Sequence, residues 1–310
     1  MNRTVLLVED DSGDTQLIRR AFAKAKIMAE LFRAKDGDDA VAYLDGQGKY
    51  EDRNVHPLPS MILLDIKLPR RSGFEVLSWI RRDPRSLRRT PVVMLTSSRH
   101  SVDINRAFEL GANAYTVKPD THAELVQLLE AIGGFWFAKN EFPILSSSGT
   151  AVKRTATHSQ ASAGHKILLV EDERSDAALI IRGLEVAGFK GTVQHVIDGR
   201  SAIHTLKMQA ATGEVPTIIL LDLKLPGMSG FEVLEEVRRT PGLRQLPVIV
   251  LANAQDIDTI NAAYEKGANS YLLKSPDSEQ IMRLILFMQE YWISMNQSVI
   301  AAPSRRPDSV

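Results

Sequence analysis

The chain has 310 residues, with 38 Lys and Arg against 38 Asp and Glu, so its balanced charge favours neither nucleic acid nor an anionic membrane as main partner. The absence of cysteine excludes disulfides, thiolate metal sites and cysteine nucleophiles. No stretch approaches the roughly 20 apolar residues of a membrane-spanning helix, and the first ten residues do not resemble a signal peptide, so we expect a cytoplasmic protein.

Short aliphatic runs alternate with segments of helical periodicity in the first half of the chain. The runs lie at 5–8, 61–64, 92–95 and 115–117, and they show no alternation with polar residues. Between the first two runs, apolar residues recur at helical spacing from Leu17 to Ala25. Unalternated strands separated by helices predict a parallel sheet with helices on both of its faces.

The second half of the chain repeats the first. VLLVEDDSGD from Val5 recurs as ILLVEDERSD from Ile167, and SGFEVL from Ser72 recurs from Ser229. GANAYTVK recurs as GANSYLLK, 156 residues further on. A repeat of this length indicates duplicated domains rather than a solenoid, and we predict domains at 1–145 and 165–300.

The stretch 146–164 between the two copies is rich in Ser, Thr, Ala and Gly and has almost no large apolar residue. Because it cannot bury enough surface to fold, we expect a flexible linker with a root-mean-square span of roughly 25 Å. The tail 301–310 is predicted to be disordered for similar reasons.

Polar residues follow the predicted strands of each copy, at the edge of a parallel sheet where ligands bind. Carboxylates that meet at adjoining strand ends repel one another unless a cation neutralises them, and oxygen ligands without His or Cys suit Mg²⁺. A lysine and a hydroxyl at the same edge suit phosphoryl oxygens, and the central aspartate is interpreted as a nucleophile that forms an aspartyl phosphate. The residues concerned are Glu9, Asp10, Asp65, Thr96 and Lys118 in copy one, and Glu171, Asp172, Asp222 and Lys274 in copy two.

On these motifs each copy resembles a receiver domain of two-component response regulators, over about 3–142 and 166–298. The resemblance implies an α/β, flavodoxin-like (βα)5 fold, a five-stranded parallel sheet with helices on both faces, in each domain. It also implies that Asp65 and Asp222 accept phosphate from a histidine kinase, and that Lys118 and Lys274 contact the phosphoryl group. By the same resemblance, the acidic pairs and the backbone carbonyls of Lys67 and Lys224 hold Mg²⁺. Tyr115 and Tyr271 match the tyrosines that act as aromatic switches.

Copy two departs from this pattern where Ala252 replaces Thr96, because alanine has no hydroxyl to bond a phosphoryl oxygen. Our hypothesis is that domain 1 is the competent switch, whereas domain 2 keeps its pocket but couples poorly to Tyr271. The alternative is that both domains work and the difference is neutral.

Both copies continue past the last helix with an aromatic pair followed by an asparagine. This extension resembles the C-terminal arm through which small response regulators of phytochromes dimerise, so we predict pairing of the two receivers within the chain or as a homodimer. A bacteriophytochrome is one candidate kinase on this ground. The alternative is that the aromatic residues cap the core of their own domain. The residues of the two extensions are Phe135, Trp136 and Asn140, and Tyr291, Trp292 and Asn296.

The sequence therefore predicts a tandem-receiver response regulator that signals by protein contacts without an output domain, and no enzyme beyond its own phosphotransfer and dephosphorylation. A Mg²⁺-dependent phosphatase that acts through an aspartyl phosphate is disfavoured, because such enzymes use a second catalytic aspartate two residues after the nucleophile. In this chain that position is lysine, Lys67 or Lys224. A structural scaffold or a phosphate sink stays open for domain 2. The five arginines between Arg81 and Arg89 are interpreted as a solvated face or a kinase-docking surface.

Overall fold

The computed structural model describes residues 3–137, 140–141, 164–275 and 277–297. The predicted tail 301–310 lies outside these residues, as does the predicted linker apart from Gly164. Within the described part of the chain, no helix is both long and apolar enough to cross a membrane.

The first domain is a parallel sheet of five strands in the order β2-β1-β3-β4-β5. Its strands are β1 (Arg3–Val8), β2 (Ala29–Ala34), β3 (Met61–Leu64), β4 (Val92–Thr96) and β5 (Ala114–Val117). The helices that connect and follow them are α1 (Ser12–Lys24), α2 (Gly37–Asp45), α3 (Gly73–Arg82), α4 (Ser101–Glu109) and α5 (His122–Ile132).

The second domain repeats this topology, with the parallel order β7-β6-β8-β9-β10. Its strands are β6 (Lys166–Val170), β7 (Thr192–Val196), β8 (Ile218–Asp222), β9 (Val248–Ala252) and β10 (Ser270–Leu273). Its helices are α6 (Arg174–Val186), α7 (Gly199–Thr212), α8 (Gly230–Arg239), α9 (Ile257–Glu265) and α10 (Ser278–Met288). The predicted fold class is confirmed in both domains.

Local sequence explains how the elements next to the candidate site begin. Ser72 and Glu75 form a capping box at the start of α3, and Ser229 and Glu232 do the same for α8. The glycine that follows each serine is required by close packing, because a Cβ on Gly73 would lie 2.0 Å from the backbone oxygen of Asp65. The repeated SGFEVL motif thus seats a helix against the backbone of the central aspartate.

The two domains share one hydrophobic core. Each sheet has an outer face with its own core, whereas buried residues of α1 and α5 form a single continuous cluster with those of α6 and α10. Because this cluster excludes water between the domains, it stabilises their association within one chain.

The predicted arms lie in the middle of this shared core. A π-helical segment, Gly133–Phe137, continues α5, and another, Gln289–Met295, continues α10. The rings of Phe135 and Tyr291 stack across the domain boundary with centroids 5.1 Å apart. Trp136 and Trp292 are fully buried beside them. The four aromatic residues therefore contact the other domain as well as their own.

Candidate functional site

The carboxyl ends of β1, β3 and β5 bring three predicted residues of domain 1 together around one ammonium group. Lys118 Nζ lies 2.7 Å from Asp65 Oδ2 and 2.5 Å from Glu9 Oε2. Glu9 and Asp65 are both buried, so the lysine supplies the positive charge that buried carboxylates need.

Domain 2 builds the same cluster. Lys274 Nζ lies 2.5 Å from both Asp222 Oδ2 and Glu171 Oε2. The predicted acceptor and lysine thus pair directly in each domain, and the duplication extends to the geometry of the site.

One acidic residue in each cluster was not predicted. Asp14 Oδ2, on the first turn of α1, lies 2.9 Å from Lys118 Nζ, and Asp176 Oδ2 lies 3.2 Å from Lys274 Nζ. A signal was available, since an aspartate stands five residues after the buried glutamate in both copies. The sequence analysis places the acidic pair and the acceptor aspartate in each site, but not the aspartate of the following helix.

Burial and the central lysine act in opposite directions on the acidic groups. Burial raises the pKa of Glu171 to about 7, against the hydrogen bond from Lys274, and burial likewise raises the pKa of Glu9. Burial alone would lower the pKa of Lys118, but its carboxylate partners, Asp65 foremost, outweigh burial and raise it. Both clusters therefore hold a charged lysine beside carboxylates that favour an additional cation.

The donor set of domain 2 fits a divalent metal ion. Glu171, Asp172 and Asp222 each offer a carboxylate oxygen, and these oxygens lie within 4.8 Å of one another. Carboxylate oxygens without nitrogen or sulfur ligands suit Mg²⁺. In domain 1 the exposed Asp10 follows the buried Glu9 in the same way, and its role as a ligand stays a prediction.

The backbone of the two predicted carbonyl ligands is in place beside the acceptors. The N–H of Lys67 donates to Asp65 Oδ1 over 3.2 Å, and the N–H of Lys224 donates to Asp222 Oδ1 over 2.9 Å. These bonds fix the acceptor side chains, and metal binding by the two carbonyls remains a prediction.

A chain of hydrogen bonds connects the buried Thr96 to Tyr115 in domain 1. The N–H of Ser98 donates to Thr96 Oγ1 over 3.4 Å, and the Tyr115 hydroxyl donates to the backbone oxygen of Ser98 over 2.9 Å. Lys118 N also donates to Thr96 O over 2.8 Å. The loop after β4 thus lies between the lysine and the predicted switch.

Domain 2 keeps the tyrosine contact but lacks the hydroxyls. Tyr271 donates to the backbone oxygen of Ala254 over 2.7 Å, as Tyr115 does to Ser98. Ala252 and Ala254 stand where domain 1 has Thr96 and Ser98. The two hydroxyl groups of this loop in domain 1 thus have no counterpart in domain 2.

Each arm contacts the backbone of the predicted switch tyrosine in the other domain. Asn296 Oδ1 accepts from Tyr115 N over 2.9 Å, and Gln297 N donates to Tyr115 O over 2.8 Å. Reciprocally, Asn140 Oδ1 accepts from Tyr271 N over 3.1 Å, and Glu141 N donates to Tyr271 O over 2.8 Å. The arms thus cross over and extend the β5 and β10 edges.

The two crossings are unequal in strength. Asn140 Oδ1 also accepts from the Tyr264 hydroxyl over 2.9 Å and from Ser270 Oγ over 2.8 Å. The corresponding residues of domain 1 are Phe108 and Ala114, which carry no hydroxyl. The arm of domain 1 is therefore tied more firmly to domain 2 than the reverse.

A second contact between the domains was missed at the sequence level. Asn113 Nδ2 donates to the backbone oxygen of Asn269 over 3.0 Å, and Asn269 Nδ2 donates to that of Asn113 over 3.0 Å. The repeated Gly-Ala-Asn motif was the available signal, but a repeated motif does not reveal that its two copies touch.

Comparison with known proteins agrees with this geometry. Residues 5–130 and 167–286 each match the sequence profile of the response regulator receiver domain. Response regulator Rcp1 of Synechocystis is 37% identical over 141 residues, which are 46% of this chain and 93% of that protein. The probable methanogenesis regulatory protein FilR2 of Methanothrix harundinacea is 39% identical over 133 residues, 43% of this chain and 86% of that protein.

Among solved structures, the phosphorylated cyanobacterial phytochrome response regulator RcpA is 35% identical, with a TM-score of 0.43; the match covers 46% of this chain and 100% of that one. Rcp1 and FilR2 each match less than half of this chain, whereas the receiver profile fits both of its domains. Two copies of the fold, two acceptor–lysine clusters and two profile matches lead to one conclusion: the chain belongs to the response regulator receiver family and carries its domain twice.

Proposed function

We propose that the chain acts in a two-component phosphorelay, where Asp65 accepts a phosphoryl group from the phosphohistidine of a histidine kinase and Asp222 serves as a second acceptor. The observation that carries this proposal is the direct pairing of each aspartate with a lysine, at 2.7 Å in domain 1 and 2.5 Å in domain 2.

The residues present suit in-line transfer to a carboxylate. A carboxylate oxygen of Asp65 attacks phosphorus as the bond from phosphorus to the kinase imidazole breaks, and the imidazole keeps the electron pair. Lys118 stabilises the negative charge of the transferred group, and the Thr96 hydroxyl donates to one of its oxygens. Mg²⁺, held by Glu9, Asp10 and Asp65 or by Glu171, Asp172 and Asp222, would neutralise further charge there.

The output would pass through Tyr115. When Thr96 Oγ1 turns toward a phosphoryl oxygen, it no longer accepts from Ser98, and the loop that holds the Tyr115 hydroxyl is released. Because the backbone of Tyr115 bonds to Asn296 and Gln297, a shift of this tyrosine reaches the arm of domain 2. We therefore propose domain 1 as the switch and domain 2 as the anchor that it moves.

The partners follow from this chemistry. A cytoplasmic histidine kinase supplies the phosphoryl group, and the arm suggests a bacteriophytochrome as the kinase to test first. The paired receivers present the downstream surface, and no reaction on a separate substrate is proposed. A second candidate function, a phosphate sink or scaffold, is favoured for domain 2 alone by Ala252.

The test is intact mass after incubation with acetyl phosphate and Mg²⁺. We expect two phosphoryl groups on the wild type, one on Asp65→Asn or Asp222→Asn, and none after removal of Mg²⁺ by a chelator. Asp258→Asn, which changes an exposed aspartate of α9, is the matched control and should keep both groups. If neither acceptor carried a phosphoryl group, the proposal would be contradicted, and a structural scaffold would be the remaining candidate function.

A further inference from the structure

A cleft lies between the two domains, away from both acceptor clusters. It measures about 250 Å³ and is lined by the ends of α3, α4, α8 and α9 and the segments that follow them. A single water molecule needs only about 15 Å³ on this measure, so the cleft has room for a small organic molecule.

The lining carries an excess of positive charge. The charged residues that line it are Arg81, Arg88, Arg89, Arg238 and Arg244 against Glu109 and Glu265, a formal charge of +3 from five cations and two anions. The sequence analysis interprets the first three as part of a solvated face or a kinase-docking surface, whereas the structure places them in the lining of this cleft, which domain 2 also lines. Like charges held together between two domains cost free energy unless an anion compensates them.

The ion pairs across the cleft leave part of this charge uncompensated. Arg88 and Arg89 both lie beside one oxygen, Glu265 Oε1, at 3.3 and 3.1 Å. On the other side Arg244 lies 3.8 Å from Glu109 Oε1. Two guanidinium groups thus share one carboxylate, and Arg89 Nε is buried without a hydrogen-bond partner in the described structure.

Two further guanidinium groups rest on neutral acceptors. Arg81 donates to the backbone oxygens of Gly111 and Thr90, and Arg238 donates to that of Gly267. Within the described residues neither has a carboxylate in ion-pair range. Burial lowers the pKa of both to about 10.

We propose that this cleft binds one small phosphate-bearing anion per chain and thereby bridges the two domains. Guanidinium groups match phosphate oxygens with paired N–H donors, and three arginines converge here from both domains: Arg88, Arg89 and Arg244. Arg81 and Arg238 add positive charge, but their N–H groups already donate to protein oxygens. The site is independent of the acceptor aspartates, since none of the acceptor-cluster residues lines it.

The pseudo-symmetry of the chain supplies matched variants. Gln245 occupies in domain 2 the position of Arg89 in domain 1, and it donates to Glu109 Oε1 over 2.7 Å as Arg89 does to Glu265. Arg89→Gln and Gln245→Arg therefore each introduce a side chain that the fold already accommodates at the equivalent position. Arg20→Gln, on an exposed part of α1, is the control for total charge.

Isothermal titration with inorganic pyrophosphate, in Mg²⁺-free buffer at fixed ionic strength, tests the proposal on the full chain. We expect one ion per chain, binding about tenfold weaker in Arg89→Gln and about tenfold tighter in Gln245→Arg, and no change in Arg20→Gln. A stoichiometry of two would place binding at the acceptor clusters and overturn the proposal. So would an absence of saturable binding, or an affinity that Arg89→Gln leaves unchanged.

Discussion

At the scale of single residues, the loop after the fourth strand of each sheet differs between the two domains in a way that bears on signalling. In domain 1 this loop has two hydroxyl groups that form hydrogen bonds: Thr96 Oγ1 accepts from Ser98 N, and Ser98 Oγ donates to Asp103 Oδ2 over 2.5 Å and accepts from His100 N over 3.4 Å. Ala252 and Ala254 remove both from domain 2. A phosphoryl group on Asp222 therefore finds no hydroxyl in the loop to draw toward itself.

A hydroxyl restored at position 252 should restore the coupling between a phosphoryl group on Asp222 and Tyr271. Ala252→Thr is expected to increase the phosphorylation-dependent change in amide hydrogen exchange of Tyr271 about tenfold, the effect of one hydrogen bond to a charged group. Thr96→Ala is the matched control and should reduce the same change at Tyr115. If Ala252→Thr leaves exchange in domain 2 as it was, the missing hydroxyl is not what limits coupling.

The acceptor, the lysine and the buried glutamate could be predicted because strand ends converge in a parallel sheet. Asp14 and Asp176 could not be separated from ordinary helix-start acids, since only the fold shows that the first turn of α1 faces the lysine. The contacts of Asn113 with Asn269 were hidden for a different reason. They join residues of two domains, and no local pattern in the sequence indicates which residues of separate domains lie close together.

At the scale of elements, the arms lie beyond residues 130 and 286, where the two matches to the receiver profile end. Among the described residues, the Asn140 side-chain oxygen in the arm of domain 1 accepts from three donors, Tyr264, Ser270 and Tyr271. The Asn296 side-chain oxygen in the arm of domain 2 accepts there from one donor, Tyr115. Loss of the Asn140 side chain leaves Ser270 and Tyr271 without this acceptor, at about 1–3 kcal/mol for each, whereas the Tyr264 hydroxyl keeps the backbone oxygen of Glu141 at 2.8 Å.

We therefore expect Asn140→Ala to lower the free energy of unfolding by about 3 kcal/mol or more, and Asn296→Ala by about 1–2 kcal/mol. Urea denaturation followed by circular dichroism measures both. Asn54→Ala, on an exposed loop, should stay within about 0.5 kcal/mol of wild type. Equal losses for the two arm variants would show that the hydroxyls of domain 2 add nothing.

Four of the five strands of domain 1 could be predicted from sequence, because unalternated aliphatic runs are typical of buried parallel strands. The edge strand β2 could not, because AELFRA contains no aliphatic run and its residues are mostly only half-buried. The arms could not be resolved in the same way. An aromatic pair after a helix is equally compatible with a cap on its own core and with an interface, and only the packing of Phe135 on Tyr291 shows that it serves both.

At the scale of the whole molecule, the two receivers form one body because they share a core. The clusters on their outer faces belong to one domain each, but the central cluster contains residues from both. A linker is then needed only to keep the domains at high effective concentration, since the contacts that hold them together lie elsewhere.

Cleavage of the linker should therefore leave the two domains together. In a chain with a protease site inserted between residues 150 and 155, we expect the cut halves to migrate as one particle of full-chain mass in size-exclusion chromatography with light scattering. Phe135→Ala removes the ring that stacks on Tyr291, at a cost of about 3–5 kcal/mol, and should let the cut halves separate on dilution. Tyr50→Ala empties a buried aromatic position far from the boundary, on the outer core of domain 1, and should leave the halves paired while the domain remains folded. Separation of the cut wild type at micromolar concentration would mean that the linker, rather than the shared core, holds the receivers together.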